Sequence, residues 1–64
     1  MQVNGEHVTL EAPVSVADYL SAHRYRPELV AVELDGRIVP RDRRADTMLT
    51  DGSVMEIVQI VQGG

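Results

Sequence analysis

The stretch SVMEIVQIV, residues 53–61, follows an Asp51-Gly52 turn and is apolar on both sides. In an extended chain alternate side chains point to opposite faces, so Met55, Ile57 and Val61 share one face while Val54, Val58 and Ile60 share the other. A strand of that kind belongs in the middle of a sheet, with neighbours on either edge. If Met55 and Ile57 look into the core, Val58 and Ile60, with Val54 nearby, form an exposed apolar patch unless neighbouring side chains cover them.

The rest of the chain supplies those neighbours. Residues 29–35 alternate, with Val30, Val32 and Leu34 on one face and Ala31, Glu33 and Asp35 on the other, which reads as a half-buried strand closed by an Asp35-Gly36 turn. Arg37-Ile38-Val39 begins another short strand, and Pro40, which has no amide to donate, belongs at its end or on an edge. Residues 41–49 read as irregular or briefly helical. At the other end, Met1-Gln2-Val3 and His7-Val8-Thr9-Leu10 flank Asn4-Gly5, a pair that tolerates the positive φ angles of a type I′ hairpin turn. Met1 and Val3 can then face Val8 and Leu10.

Pro13 ends that pattern. Ser15 precedes a run in which Val16, Tyr19, Leu20 and His23 recur with helical spacing, and Asp18 stands three residues after Ser15 as in a capping box. Residues 24–28, with Pro27, lead out of this short helix. A hairpin, one helix and then several strands with the last one central describe an α+β roll, one helix packed across one sheet.

With 64 residues there is room for one domain and one small core. The absence of cysteine, and two histidines far apart in sequence, argue against a disulfide framework, a zinc site or an iron–sulfur cluster. Net charge is −4 and all six basic residues are arginine. Such a chain has too little positive charge and too few aromatics for nucleic acid or an anionic membrane, so its partners are expected to be proteins. It has neither an apolar run of membrane-spanning length nor a signal-peptide layout, and the expected address is the cytoplasm.

A search for catalytic patterns finds no glycine-rich phosphate loop, no metalloprotease helix and no nucleophile elbow. His23 and Asp18 are five apart on a helix and point in different directions, which leaves His23 as a packing residue and His7 as an exposed strand residue. Asp42, Asp46, Asp51 and Glu56 are dispersed over turns and an outer strand face and form no acid–base pair. The run Arg41-Asp42-Arg43-Arg44 reads as a solvated turn rather than a phosphate site. What remains is the end of the chain, Gln62-Gly63-Gly64, where two glycines contribute nothing to packing but can follow a narrow channel. Extended, residues 62–64 reach roughly 10 Å beyond the strand.

From residue 30 onward the sequence VAVELDGRIVPRDRRADTMLTDGSVMEIVQIVQGG resembles the ThiS sulfur carriers of thiamin biosynthesis, members of the ubiquitin-like β-grasp group. The resemblance lies in the order of its parts: an alternating strand and turn, Ile38-Val39-Pro40-Arg41, Ala45, the Asp51-Gly52 turn, a final apolar strand and Gly63-Gly64. Family members commonly carry a tryptophan immediately before the alanine matching Ala45, and here Arg44 holds that place.

The resemblance implies a β-grasp roll: one mixed sheet of four to five strands packed on one main helix, a domain over residues 1–61 and a flexible tail over residues 62–64. It also implies a carrier rather than an enzyme, a monomer when free, that binds no cofactor itself. The carboxylate of Gly64 would be adenylated from ATP by a ubiquitin-activating-like adenylyltransferase, ThiF. Sulfur from a cysteine desulfurase system would then displace the adenylate to leave a thiocarboxylate, which thiazole synthase, ThiG, consumes. A carboxylate is a poor electrophile, so activation must precede attack by sulfur. In such carriers the sheet face opposite the helix docks on the activating enzyme, which makes Val54, Val58 and Ile60 the candidate partner surface and Gln62 and Gly63 the delivery arm. Two other readings are a MoaD-like small subunit of molybdopterin synthase and a β-grasp interaction module without chemistry. Short length and Ile38-Val39-Pro40-Arg41 favour the thiazole branch.

Overall fold

A computed structural model describes residues 1–60; the expectations for the tail at residues 62–64 and for Val61 lie outside the described residues. The element order is β1 (Gln2–Val3), β2 (Glu6–His7), β3 (Val14–Ser15), α1 (Val16–Ala22), β4 (Val30–Leu34), β5 (Arg37–Ile38), β6 (Met48–Leu49) and β7 (Val54–Gln59), with 3-10 turns at Pro27–Leu29 and Arg41–Asp46.

Five strands form one sheet in the order β2-β1-β7-β4-β5, which places β7 at its centre as its two-sided apolar pattern requires. The sheet is mixed: β1 runs parallel to β7, and every other pairing is antiparallel. Both hairpins turn on the expected dipeptides. Asn4 and Gly5 have φ of 53° and 83°, and Asp35 and Gly36 have 50° and 84°, the left-handed pair that a type I′ turn demands.

Helix α1 starts where its cap predicts. The Ser15 side chain accepts a hydrogen bond from the Asp18 amide at 3.0 Å, satisfying a donor that has no partner within the helix. Val16, Tyr19 and Leu20 are buried against Val30, Val32, Met55 and Ile57 from the sheet. Leu20, Leu49, Met55, Val16 and Val32 are the largest side chains fully withdrawn from water, so the core lies between α1 and one face of the five-stranded sheet.

One element was not expected. Strands β3 and β6 pair through Val14↔Leu49 and Ser15↔Met48, forming a second, two-stranded sheet, and Val16 donates to the Thr47 carbonyl at 2.9 Å. These strands have two residues each, too few to show alternation. They arise because Leu49 is drawn into the core, bringing residues 47–49 alongside the start of α1.

Candidate functional site

Strand β7 is fastened at both ends. The Ile60 amide donates to the Leu29 carbonyl at 2.7 Å, the last bond of the β4–β7 ladder. At the other end Asp35 donates its amide to the Val54 carbonyl at 2.8 Å and accepts from the Val54 amide through Oδ1 at 2.9 Å. On the opposite edge, Asn4 makes a strand-like contact with its side chain. Its Oδ1 accepts from the Ile57 amide at 2.7 Å and its Nδ2 donates to the Ile57 carbonyl at 3.3 Å. Turn residues that the sequence offers for their backbone geometry thus also clamp the central strand, and the chain continues past Ile60 from a fixed point.

The face of β7 away from the helix is open. Val54, Val58 and Ile60 are 45%, 58% and 45% exposed, against 0% for Met55 and 6% for Ile57 on the core face. Neighbouring strands do not cover them: Val58 stands opposite the small Ala31, and Val54 is flanked by Gln2. Ile38, 66% exposed, joins the same face through its pairing with Glu33. In the middle of this apolar surface Glu33 and Glu56 stand opposite one another. Alternation assigns both to the outer side, but only the register of two distant strands shows that they face each other.

The expectation of a solvated turn at residues 41–44 is corrected at Arg44. Arg41–Asp46 is a 3-10 turn that points Arg44 inward, where it is 5% exposed and donates through Nη1 to the Pro27 carbonyl at 2.8 Å and through Nη2 to the Val30 carbonyl at 2.7 Å. Its Nε is buried with no hydrogen-bond partner. Burial lowers the guanidinium pKa from its ordinary value, and the nearby charge of Arg41 pushes the same way. Arg44 therefore serves as a strut between the 3-10 turn and the segment that receives Ile60. Next to that segment, Arg24, Tyr25, Arg26, Leu29, Val30 and Gln59 line a shallow groove of about 310 Å³.

The histidines form no catalytic arrangement. His23 is exposed, but its ring stacks on Tyr19 with centroids 4.0 Å apart, and Nδ1 lies 3.0 Å from the Tyr19 carbonyl oxygen. His7 is exposed, as expected, and its Nε2 lies 3.4 Å from the Thr9 hydroxyl. Among the described residues no group of three or more histidines and carboxylates could hold a metal ion, and no helix is long and apolar enough to cross a membrane.

A mixed five-stranded sheet wrapped on one helix, with the last strand central, is the β-grasp architecture of ubiquitin-like proteins. Within that class the chain belongs to the ThiS family, whose model matches residues 1–64. It is similar to the sulfur carrier protein ThiS of Bacillus subtilis, 31% identical over all of this chain and 98% of that protein, and to the uncharacterized protein ycf40 of Pyropia yezoensis, 34% identical over all of this chain and 90% of that one. The crystal structure of a thiamine biosynthesis protein (ThiS) from Geobacter metallireducens superposes with a TM-score of 0.84 at 32% identity, covering 98% of this chain and 96% of the other. Family and relatives together support a sulfur carrier protein.

Proposed function

We propose that this chain carries sulfur as a thiocarboxylate on Gly64 and delivers it for assembly of the thiazole of thiamin. In the first step an oxygen of the Gly64 carboxylate attacks the α-phosphorus of ATP, and the bond to the departing pyrophosphate breaks. The product is a mixed anhydride with AMP. A sulfur nucleophile at the oxidation level of sulfide then adds to the acyl carbon, AMP leaves, and one oxygen of the carboxylate has been replaced by sulfur.

The chain's own contribution is positional. Its described residues hold no nucleotide loop and no acid–base pair, so an adenylyltransferase of the ThiF type would supply the ATP site and the groups that stabilise developing charge. A cysteine desulfurase system would supply sulfur, and a thiazole synthase of the ThiG type would accept it. Val54, Val58 and Ile60 form the surface that would dock on the activating enzyme, because several large apolar side chains exposed on one face are characteristic of protein contact sites.

The observation that carries this reading is the ThiS family match across residues 1–64, Gly63-Gly64 included. The thiazole branch is favoured over the pterin branch by the thiamine biosynthesis protein among the structural relatives. The test is intact-mass analysis after incubation with ATP, sulfide and the activating enzyme. The expected change is oxygen to sulfur, absent in Gly64→Ala; an unchanged wild-type mass in the presence of active enzyme overturns the proposal.

A further inference from the structure

Glu33 on β4 and Glu56 on β7 are cross-strand partners at the centre of the outer face. The bonds Ile60 to Leu29 and Asp35 to Val54 mark hydrogen-bonded pairs of this antiparallel ladder. Such pairs recur every second residue, so Glu33 and Glu56 form one too, with Cα atoms about 5.5 Å apart and both side chains on the solvent side. Like charges directly opposite one another destabilise a sheet. Nothing beside them in the sheet relieves them: the other partner of Glu33 is Ile38, and on the far side of Glu56 the β1–β7 register leads to Asn4, whose side chain is engaged by the Ile57 amide and carbonyl.

The acid pair is framed by apolar side chains that are themselves open to water, with Val54 and Val58 on either side along β7 and Ile38 across from Glu33. A carboxylate pair inside an apolar frame becomes costly when the face is covered, unless the covering surface brings a positive charge. A second copy of this chain would bring two more carboxylates, and with a net charge of −4 it would be repelled. A nucleic acid or an anionic membrane would be repelled for the same reason.

We propose that this face receives an arginine of the activating enzyme, set among apolar side chains and inserted between Glu33 and Glu56. A guanidinium suits the place because its planar fork carries five donors and can serve both carboxylates at once, where an ammonium is a single point of charge. Val54, Val58 and Ile38 would seal the contact from water, which strengthens the charge pairing they surround. The identity of the partner rests on the sulfur-carrier reading; the preference for a cation at this place rests on the sheet register together with the exposed apolar frame.

The test measures binding of the wild-type chain and of the Glu33→Gln/Glu56→Gln double variant to the activating enzyme by calorimetry, with adenylate formation followed separately. The double variant is expected to bind at least about tenfold more weakly, the wild-type affinity to fall with added salt, and the thermal midpoint of the free variant to rise because the repulsion is gone. A weaker-binding variant that is also less stable would point to a damaged fold and overturn the proposal. So would equal affinity of the two chains, failure of the wild type to bind, or a wild-type dimer that the double variant tightens. Wild-type binding that depends on both glutamates but yields no adenylate would instead uphold this face and overturn the sulfur-carrier reading.

Discussion

Arg44 Nη2 lies 2.7 Å from the carbonyl oxygen of Val30, and the carbonyl one residue earlier, that of Leu29, accepts the Ile60 amide. The segment entering β4 is therefore held from the core side by a buried guanidinium and from the sheet side by the last described residue of the chain. A cation is tolerated at this buried place because its guanidinium donates to two main-chain carbonyls, at Pro27 and Val30.

Replacing Arg44 separates its two roles. Arg44→Ala removes both bonds, leaves the Pro27 and Val30 carbonyls unpaired and opens a void, so unfolding free energy should fall by about 2–3 kcal/mol. Arg44→Met keeps most of the volume and discards a charge whose burial is unfavourable, and its loss should be less than half as large. Arg44→Lys should be no better than Arg44→Met, since one ammonium cannot reproduce the fork. Urea unfolding of the three variants checks the order.

A second prediction concerns the Asn4 clamp on Ile57. Asn4→Gly keeps the positive φ of the turn but loses both side-chain bonds, and should cost about 1–2 kcal/mol. Asn4→Asp keeps the acceptor for the Ile57 amide and loses only the donor to its carbonyl. Hydrogen exchange resolves the two cases: the Ile57 amide should exchange much faster in Asn4→Gly and remain protected in Asn4→Asp.

Tyr19 sets an alkaline limit on stability. Burial raises its phenol above the ordinary 10.0, and the neighbouring Tyr25 phenolate adds to the effect. The folded chain thus holds this proton more tightly than the unfolded chain does. Its contribution is complete below pH 10 and is lost as pH rises through the folded value. In a Tyr25→Phe chain, where Tyr19 is the sole phenol, phenolate absorbance should rise with a midpoint above 10, and urea stability should drop as pH rises beyond 10 more steeply than in Tyr19→Phe.

The parts legible in the sequence are those decided by local rules. The division of β7 into a Met55 and Ile57 face and a Val54, Val58 and Ile60 face follows from a period of two, though not which face is covered; the Asn4-Gly5 and Asp35-Gly36 turns follow from their tolerance of positive φ, and the start of α1 from Ser15. What could not be read depends on chain segments meeting at long range. The two-residue strands β3 and β6 exist only because Leu49 is buried beside α1. Arg44, in a run of charges that looks solvated, is buried because a 3-10 turn rotates it toward Pro27 and Val30. Glu33 and Glu56 are each ordinary outer-face residues until the β4–β7 register sets them opposite one another.

Substitution at Val58 tests the outer face by making stability and docking move in opposite directions. Val58 lies two residues from Glu56 on its own strand, and its partner Ala31 lies two residues from Glu33, so a long side chain at position 58 can reach both carboxylates. Val58→Arg would place within the chain the cation proposed for the partner. Relief of the like-charge pair should contribute about 0.5 kcal/mol, raising the thermal midpoint by roughly 2–4 °C in a domain of this size. The same guanidinium occupies the acid pair and opposes an incoming arginine, so affinity for the activating enzyme should fall further than in Val58→Ala, which removes only apolar contact. Val58→Glu adds a carboxylate beside the acid pair and should lower the midpoint slightly while leaving the cation's place open. Thermal melts of the free chains paired with calorimetry against the enzyme read both quantities. A Val58→Arg chain that is more stable and still docks like Val58→Ala would show that the partner does not use the acid pair.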